Sequence, residues 1–204
     1  PELYLKQLLV AGLDKVYEIN RSFRNEGVST RHNPEFTMLE VYSAYADYED
    51  MMRLAEEMII YAAKEVLGGL SFPYQDKIID LNSPWQRRSF AVMVKEKFGI
   101  DPQDEAGVML KKLQSKGFAQ GAGKLTRSQV AKLIEDVLEQ DMNPVRKNHD
   151  DKIEFSNGAP VFVTDYFTNL CPLAKTKKDE PLISERFELY IGGLEIGNAY
   201  SELN

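Results

Sequence analysis

Residues 186–204 read RFELYIGGLEIGNAYSELN, and this stretch decides the predicted fold. Residues 186–191 and 194–203 read as strands, and Gly192 and Gly193 lie between them. Two consecutive glycines suit a two-residue turn, because its central positions require positive φ angles. The stretch therefore predicts an antiparallel β-hairpin.

This predicted hairpin is rich in acidic side chains. With the two glycines as its turn, Tyr190 pairs with Glu195 and Glu188 pairs with Gly197, so Glu188 and Glu195 share a face. Two such carboxylates are compatible with Mg²⁺ held between the protein and phosphate oxygens. Simple exposure to solvent is the alternative interpretation of paired strand carboxylates.

Strict alternation places three further polar side chains on the opposite face of the second strand: Asn198, Tyr200 and Glu202. They join Glu188 and Glu195 in a common site only if the strand contains a bulge or twist near Gly197, a residue suited to one. We predict that irregularity.

A second hairpin is predicted earlier in the sequence. Residues 15–26 and 36–45 form runs of strand-like character, and a polar loop over 27–34 separates them. Arg24 and Glu26 fall on one face of the first run. Two strands joined by such a loop predict an antiparallel pair.

The region between these strands combines two arginines, Arg24 and Arg31, with His32. Such cations suit phosphate binding, because arginine makes bidentate contacts and stays charged. An ordinary solvated loop has a similar composition, so the sequence pattern leaves both interpretations open.

Phe36, Glu40 and Tyr42 share a face of the second strand of this hairpin. A carboxylate within an otherwise apolar strand is costly to bury unless it is paired, so Glu40 requires a cation. A ligand ammonium group is one candidate. An internal partner such as Arg21 or Lys15 is the other.

Helices are predicted between the two hairpins. Asp47 is a plausible N-cap for a long helix with apolar residues at helical spacing, which Gly68 and Gly69 end. Three shorter helices follow, near 90–98, near 104–115 and after the capping box Thr126-x-x-Gln129.

Strand character returns over 160–164. Runs of strands that enclose a helical middle predict an α+β fold, with an antiparallel sheet flanked by helices. We expect one large domain, because 204 residues with 43% hydrophobic content can build one sizeable core.

Composition excludes several classes of protein. The net charge of −7 lacks the basic balance that supplies non-specific affinity for nucleic acid. The single Cys171 excludes an intrachain disulfide, and no apolar run approaches the roughly 18 to 20 residues of a membrane span. We therefore expect a cytoplasmic protein without a membrane partner.

Both ends of the sequence are abrupt, and we expect a fragment of a longer chain.

Four segments near the start of the sequence carry a resemblance to a known family: PELYLK at 1–6, FRNEG at 23–27, RHNPEFTMLE at 31–40 and YADY at 45–48. They are similar to the motif 2 region of lysyl-tRNA synthetases, and the resemblance runs from end to end of the sequence, weakest between about 72 and 157. The resemblance to the segment before motif 3 rests on PLAK at 172–175, ERFE at 185–188 and EIGNAYSELN at 195–204. It implies a class II aminoacyl-tRNA synthetase-like catalytic core with a helical insertion.

The resemblance also implies an ATP site. Four side chains would bind ATP: Arg24 at the α-phosphate and the substrate carboxylate, Glu26 at the adenine amino group, His32 at the terminal phosphates, and Phe36 stacked on the adenine. Arg24 would be the catalytic residue. Mg²⁺ would be the cofactor that accompanies ATP, with Glu188 and Glu195 as its ligands.

A lysine site is implied in the same way. Six side chains would bind lysine: Glu2 at the α-amino group, Asn198 at the carboxylate, Glu40, Tyr42 and Glu202 at the ε-ammonium group, and Tyr200 as an aromatic wall. This implication favours a ligand cation as the partner of Glu40.

The implied activity is ATP-dependent activation of L-lysine to lysyl-adenylate and transfer to tRNA(Lys), within a larger homodimeric enzyme. One partial catalytic domain would comprise the motif 2 region and following helix (1–71), a mostly helical central segment (72–157) and the strands before motif 3 (158–204). Motif 1, motif 3 and an anticodon-binding barrel have no counterpart in this sequence, so we expect the chain alone to be incomplete.

Two alternatives stay open: a related ligase that attaches lysine to a protein, and a non-catalytic truncated paralogue that acts as a binding module.

Overall fold

A computed structural model of the protein describes residues 2–25, 27, 33–75, 77–142 and 158–203, with the side chains of 140–142 left aside. The chain divides into two compact units, Pro1–Ala46 and Asp47–Asn204. In the described ranges, no helix is both long enough and apolar enough to cross a membrane.

Among its described residues, the first unit contains one helix and one hairpin. Helix α1 covers Glu2–Val10, and strands β1 (Lys15–Phe23) and β2 (Glu35–Ser43) pair antiparallel along their whole length. The predicted hairpin is confirmed, but its first strand ends earlier than the sequence pattern indicates. Arg24 therefore lies just beyond the strand, where its backbone N–H donates to the carbonyl of Pro34 at 2.8 Å.

The second unit begins with the predicted long helix, α2, at Tyr48–Leu67. The Asp47 side chain accepts hydrogen bonds from the backbone N–H groups of Glu49 and Asp50, which satisfies donors that a helix start leaves unpaired. Gly68 ends the helix with φ 70°, a left-handed conformation that glycine adopts without steric cost. Both predicted caps are confirmed.

The three shorter helices of the middle segment are also confirmed. They are α3 (Phe90–Phe98), α4 (Ala106–Ser115) and α5 (Arg127–Met142). At the start of α5 the backbone N–H of Thr126 donates to Gln129 Oε1 at 2.9 Å, and the N–H of Gln129 donates to Thr126 Oγ1 at 3.3 Å. This is the reciprocal pairing that the capping box predicts.

Six strands complete the second unit. Strands β3 (Ser71–Tyr74) and β4 (Lys77–Asp80) form a separate antiparallel pair. The main sheet has the order β5-β6-β7-β8, with bounds Gln86–Ser89, Val161–Thr164, Arg186–Ile191 and Leu194–Tyr200. The predicted antiparallel pairing is correct for β6, β7 and β8 and wrong for β5, which runs parallel to β6. A parallel neighbour requires a long crossover, and the segment that contains α3, α4 and α5 supplies it.

Helices cover both faces of the main sheet. On one face, Met52 of α2 packs in the same core as Phe187 and Leu189 of β7. On the other, Phe90 of α3 and Ile134 of α5 share a core that includes Tyr190 of β7. Because side chains alternate along a strand, Arg186 and Glu188 point to the same side as Tyr190, toward α3 and α5.

Candidate functional site

The β7–β8 hairpin contains the predicted irregularity. Tyr190 pairs with Glu195 as predicted, but the register then shifts, so that Leu189 opposes Gly197 and Glu188 opposes Asn198. The predicted pairing of Glu188 with Gly197 is therefore wrong by one residue. Ile196 is the extra residue of a β-bulge, directly before the glycine on which the prediction rested.

The bulge changes which side chains share a face. Residues that oppose each other across an antiparallel pair point to the same side of the sheet. Glu195 and Asn198 therefore lie on the face of Glu188, and Tyr200, which opposes Arg186, lies there too. Asn198 Nδ2 donates a hydrogen bond to Glu195 Oε1 at 3.2 Å. Four of the five predicted site residues of this hairpin are thus brought together.

Glu202, the fifth of these residues, follows β8 rather than lying within it. It is exposed and forms an isolated antiparallel bridge with Ala174. The neighbouring Ser201 hydroxyl accepts a hydrogen bond from the backbone N–H of Tyr48 at 3.0 Å, so the chain next to Glu202 is attached to the start of α2.

Glu188 has the most enclosed carboxylate among these residues, with 3% of the residue exposed. Its Oε2 accepts hydrogen bonds from the hydroxyl groups of Tyr166 at 2.6 Å and Tyr190 at 2.7 Å. Its Oε1 accepts a hydrogen bond from Arg186 Nη2. A buried carboxylate is costly unless it is paired and hydrogen-bonded, and this one is both.

A pocket of about 420 Å³ lies beside Glu188. Its lining from the sheet includes Arg186, Glu188 and Glu195, and its lining from α5 includes Ser128, Lys132, Glu135 and Glu139. Lys132 Nζ donates to Glu135 Oε2 at 2.7 Å, and Arg186 Nη1 lies 3.9 Å from Glu135 Oε1. The cations of the pocket are therefore already paired with carboxylates.

The pocket carries more acidic than basic groups, and this affects proton binding. Burial raises the pKa of Glu139 to about 7, and Lys132 opposes that rise while Glu135 adds to it. Burial also raises the pKa of Glu195, and the charge of Glu188 raises it further. Both shifts show carboxylates that lack enough neighbouring positive charge, so the pocket favours an added cation.

The described parts of the chain hold no group of three or more His, Cys, Asp or Glu side chains arranged to bind a metal ion. Glu188 and Glu195 nevertheless line one pocket and offer oxygen ligands, which hard cations such as Mg²⁺ prefer. A cation held by these two carboxylates requires further oxygens from a ligand or from water.

In the first unit, the structure brings Glu2, Glu40 and Tyr42 close together. The Tyr42 hydroxyl donates to Glu40 Oε1 at 3.3 Å, and Asn20 Nδ2 donates to Glu40 Oε2 at 2.7 Å. Burial raises the pKa of Tyr42, and the charges of Glu2 and Glu40 raise it further. Lys6, which pairs with Glu2 at 2.8 Å, lies 5.9 Å above the Tyr42 ring.

Of the two internal partners considered for Glu40, Arg21 is engaged elsewhere. Arg21 pairs with Glu35, with 2.5 Å between Arg21 Nη1 and Glu35 Oε1, on the exposed side of the hairpin. Glu40 accepts hydrogen bonds from an uncharged amide and an uncharged hydroxyl group.

Arg24 and Phe36 are also brought together, since the Arg24 guanidinium lies 5.3 Å from the centroid of the Phe36 ring. A guanidinium group over an aromatic face is a favourable arrangement. The other two predicted ATP-binding residues, Glu26 and His32, lie outside the described residues.

Several polar residues around Glu188 were missed by sequence reasoning. Arg186 and Tyr190 lie two positions on either side of Glu188, so strand alternation alone would have placed them on its face. Glu135 and Glu139 reach the pocket from α5, and no local pattern indicates that this helix covers this strand.

Two comparisons with known proteins agree with each other. The model of the family described as tRNA synthetases class II (D, K and N) matches residues 1–204. The chain is 46% identical over 206 residues to a lysine–tRNA ligase of Carboxydothermus hydrogenoformans, 43% over 205 residues to that of Thermotoga maritima, and 47% over 204 residues to that of Pelotomaculum thermopropionicum.

Each of these alignments covers all of this chain. They cover 39%, 38% and 38% of the three relatives, respectively. The chain thus spans about two fifths of the length of the curated relatives it matches.

Proposed function

We propose that this chain, which belongs to the class II tRNA synthetases (D, K and N), takes part in ATP-dependent activation of L-lysine and its transfer to tRNA(Lys). The relatives named above are lysine–tRNA ligases, and none of them is a ligase for a protein substrate. The structural observation that carries the proposal is the bulged β7–β8 hairpin, which gathers Glu188, Glu195, Asn198 and Tyr200 on one face.

The first unit is proposed to bind ATP through Arg24 and Phe36, with Glu26 and His32 at the adenine amino group and the terminal phosphates. Phe36 would stack on the adenine, and Arg24 would bind the α-phosphate. The proximity of the Arg24 guanidinium to the Phe36 ring supports a shared ligand, because adenine and α-phosphate are parts of one nucleotide.

The first unit is also proposed to bind the two amino groups of lysine. Glu2 would bind the α-amino group, and Glu40 with Tyr42 would bind the ε-ammonium group. The Glu40 carboxylate lies on the partly buried face of β2 and accepts hydrogen bonds from Asn20 and Tyr42, and a ligand ammonium group would add a charge-assisted hydrogen bond there. An uncharged analogue would lack that charge-assisted hydrogen bond, which gives selectivity for lysine.

The second unit is proposed to bind the lysine carboxylate through Asn198 and the ε-ammonium group through Glu202, with Tyr200 as an aromatic wall. Glu188 and Glu195 would hold Mg²⁺ together with phosphate oxygens. Burial, and after it the charge of Glu188, raises the pKa of Glu195, and this fits the assignment because a bound cation would favour the ionised carboxylate. When bound, Mg²⁺ would neutralise phosphate charge.

The proposed chemistry is two transfers. In the first, a lysine carboxylate oxygen attacks the α-phosphorus in line, a new P–O bond forms, and pyrophosphate leaves. Arg24 would stabilise the negative charge that develops on the α-phosphate, and the bound amino groups would orient the carboxylate. In the second, a hydroxyl at the tRNA 3′ end takes the lysyl group and AMP leaves.

The wider setting is part of the same proposal. Residues 1–71 would be the motif 2 region with its following helix, 72–157 a helical insertion, and 158–204 the strands before motif 3. The crossover from β5 to β6 through α3, α4 and α5 supports the central assignment. The whole protein would act as a cytoplasmic homodimer.

The test is calorimetric titration of lysine, then of ATP with Mg²⁺, into the full-length protein that contains these residues. Glu40→Gln and Glu202→Gln should each weaken lysine binding by about 2 to 5 kcal/mol, the loss expected when one partner is removed from a charge pair that ligand binding buries. Glu35→Gln is the matched control, because Glu35 lies on the same strand as Glu40 but on its exposed face.

The same preparation should exchange pyrophosphate into ATP only when lysine is present. Lysine binding that survives both substitutions unchanged contradicts the proposed lysine site. Absence of lysine-dependent exchange in a folded sample contradicts the proposed activity.

A further inference from the structure

The carboxylate of Glu188 is held by donors on both of its oxygens. Two tyrosine hydroxyl groups, from Tyr166 and Tyr190, converge on Oε2, and Arg186 donates to Oε1. An ionised carboxylate has about four acceptor positions, so three donors leave one direction for another partner. Few orientations of the side chain satisfy all three donors at once.

The two phenols approach the same carboxylate oxygen closely. The hydroxyl oxygens of Tyr166 and Tyr190 lie 2.6 Å and 2.7 Å from Glu188 Oε2, and both tyrosines are buried. Each hydroxyl group therefore fixes the orientation of Oε2 by a short hydrogen bond.

Arg186 connects this arrangement to helix α5. Its guanidinium lies 4.6 Å from the centroid of the Tyr166 ring, so the ring supports the group that binds Oε1. Its Nη1 lies 3.9 Å from Glu135 Oε1, and Glu135 in turn accepts a hydrogen bond from Lys132. Helix α5 thus supplies a second carboxylate contact to the Arg186 guanidinium.

We propose that Tyr166, Tyr190 and Arg186 are positioning residues that orient the Glu188 carboxylate toward the divalent cation that accompanies ATP. This inference rests on the proposed function of Glu188 as a cation ligand. Hydrogen bonds around a metal ligand fix its direction, and loss of one costs about ten- to a hundredfold in metal affinity. None of the three residues needs to touch the cation or the nucleotide.

The test measures Mn²⁺ binding to the full-length protein in the presence of a non-hydrolysable ATP analogue, with the free Mn²⁺ signal followed by electron paramagnetic resonance. Tyr190→Phe and Tyr166→Phe keep the rings and remove one hydroxyl donor each. Each should weaken Mn²⁺ binding about tenfold. Tyr48→Phe is the matched control, because Tyr48 is also buried but its hydroxyl partner is Lys177. It should leave Mn²⁺ binding unchanged.

A double-mutant cycle shows whether Tyr190 acts through Glu188. Glu188→Gln alone should weaken Mn²⁺ binding, and adding Tyr190→Phe to it should cause no further loss. Independent losses that add, or tyrosine variants that bind Mn²⁺ as the wild type does, overturn the positioning role.

The outcomes separate this inference from the proposed function. If Glu188→Gln weakens Mn²⁺ binding and the tyrosine variants do not, only the positioning role is wrong. If Glu188→Gln leaves Mn²⁺ binding unchanged, the cation role of Glu188 is wrong and the positioning role is wrong with it. If Glu188→Gln does not fold, the tyrosine variants against Tyr48→Phe still decide the positioning role.

Discussion

The two hairpins that carry most of the proposed site differ in how their polar groups are supported. In the β7–β8 hairpin, β7 is largely buried, and Glu188 is fixed by three donors within the core. In strands β1 and β2 every residue is at least partly exposed. There, Glu40 is partly buried and accepts from Asn20 and Tyr42 on the same pair of strands.

This difference indicates two ways to prepare a binding residue. Glu188 is oriented before any ligand binds, because side chains of β7 and of the segment after β6 supply its three donors. Glu40 is placed by strand alternation, and in the proposed function lysine supplies its charge partner. The β7–β8 hairpin should therefore depend on its polar groups for stability, whereas the β1–β2 hairpin should depend on them mainly for binding.

The largest expected effect is that of Glu188→Ala on the stability of the β7–β8 hairpin. Removing this carboxylate leaves the Arg186 guanidinium largely buried without its main partner and two hydroxyl groups without their acceptor. The expected cost is about 3 to 5 kcal/mol. Amide hydrogen exchange of the β7 residues in the full-length protein measures it.

The matched variant in the other hairpin is Glu40→Ala. Its two hydrogen bonds join partly exposed groups, so the expected loss in β2 protection is about 1 kcal/mol. Equal losses of exchange protection in the two hairpins would show that burial of the carboxylate does not determine how much it contributes to stability.

The second effect concerns the turns. Gly192 has φ 61°, and a Cβ there would lie 2.9 Å from Cδ1 of Ile79. Gly192→Ala should lower the stability of the β7–β8 hairpin by about 1 to 2 kcal/mol, because a non-glycine residue resists the left-handed conformation. Gly27→Ala is the control in the loop of the β1–β2 hairpin, since a Cβ there meets no atom within 4 Å. It should change exchange protection little, and a comparable loss there would contradict this explanation.

Local signals predicted a large part of the fold. The ends of α2 follow from Asp47 and Gly68, and the start of α5 follows from Thr126 with Gln129, because each cap is formed by neighbouring residues. The bulge was predictable because strict alternation places the polar residues of β8 on opposite faces of the strand. A common site requires them on the same face. Its exact position was not, since Gly197 and Ile196 suit it almost equally.

The remaining features depend on residues far apart in the chain. The parallel pairing of β5 with β6 joins segments on either side of three helices, and no local pattern specifies it. The pocket has the same origin: Glu135 and Glu139 reach Glu188 only because α5 packs across β7. The sequence thus predicted both the strand that carries the site and helix α5, but not that α5 covers this strand.

A third effect depends on pH and concerns Glu139 of α5, which lines the pocket beside Glu188 of the β7–β8 hairpin. Folding raises the pKa of Glu139 from the ordinary 4.5 to about 7, chiefly by burial. The folded state therefore holds this proton more tightly than the unfolded state, so folded protein loses stability as the pH rises from 4.5 to about 7.

Glu139→Gln should remove this penalty. In magnesium-free buffer the variant should be more stable than the wild type above pH 7, by about 1 kcal/mol once solvent screening of this partly exposed group is allowed for. The difference between their thermal unfolding midpoints should disappear near pH 4.5. A difference that does not change with pH would show that the substitution acts through packing.

The smallest expected effect is that of the exposed ion pair between Arg21 and Glu35 in the β1–β2 hairpin. Solvent screens this pair, and holding two long side chains in one geometry costs entropy, so a double-mutant cycle with Arg21→Ala and Glu35→Ala should give a coupling energy of about 0.5 kcal/mol or less. Raising the ionic strength should lower that energy further. The short distance between the charges does not alter this expectation, because burial rather than distance separates this pair from Arg186 and Glu188. A coupling energy of several kcal/mol, unchanged by salt, would show that polar pairs stabilise the β1–β2 hairpin as strongly as they stabilise the β7–β8 hairpin.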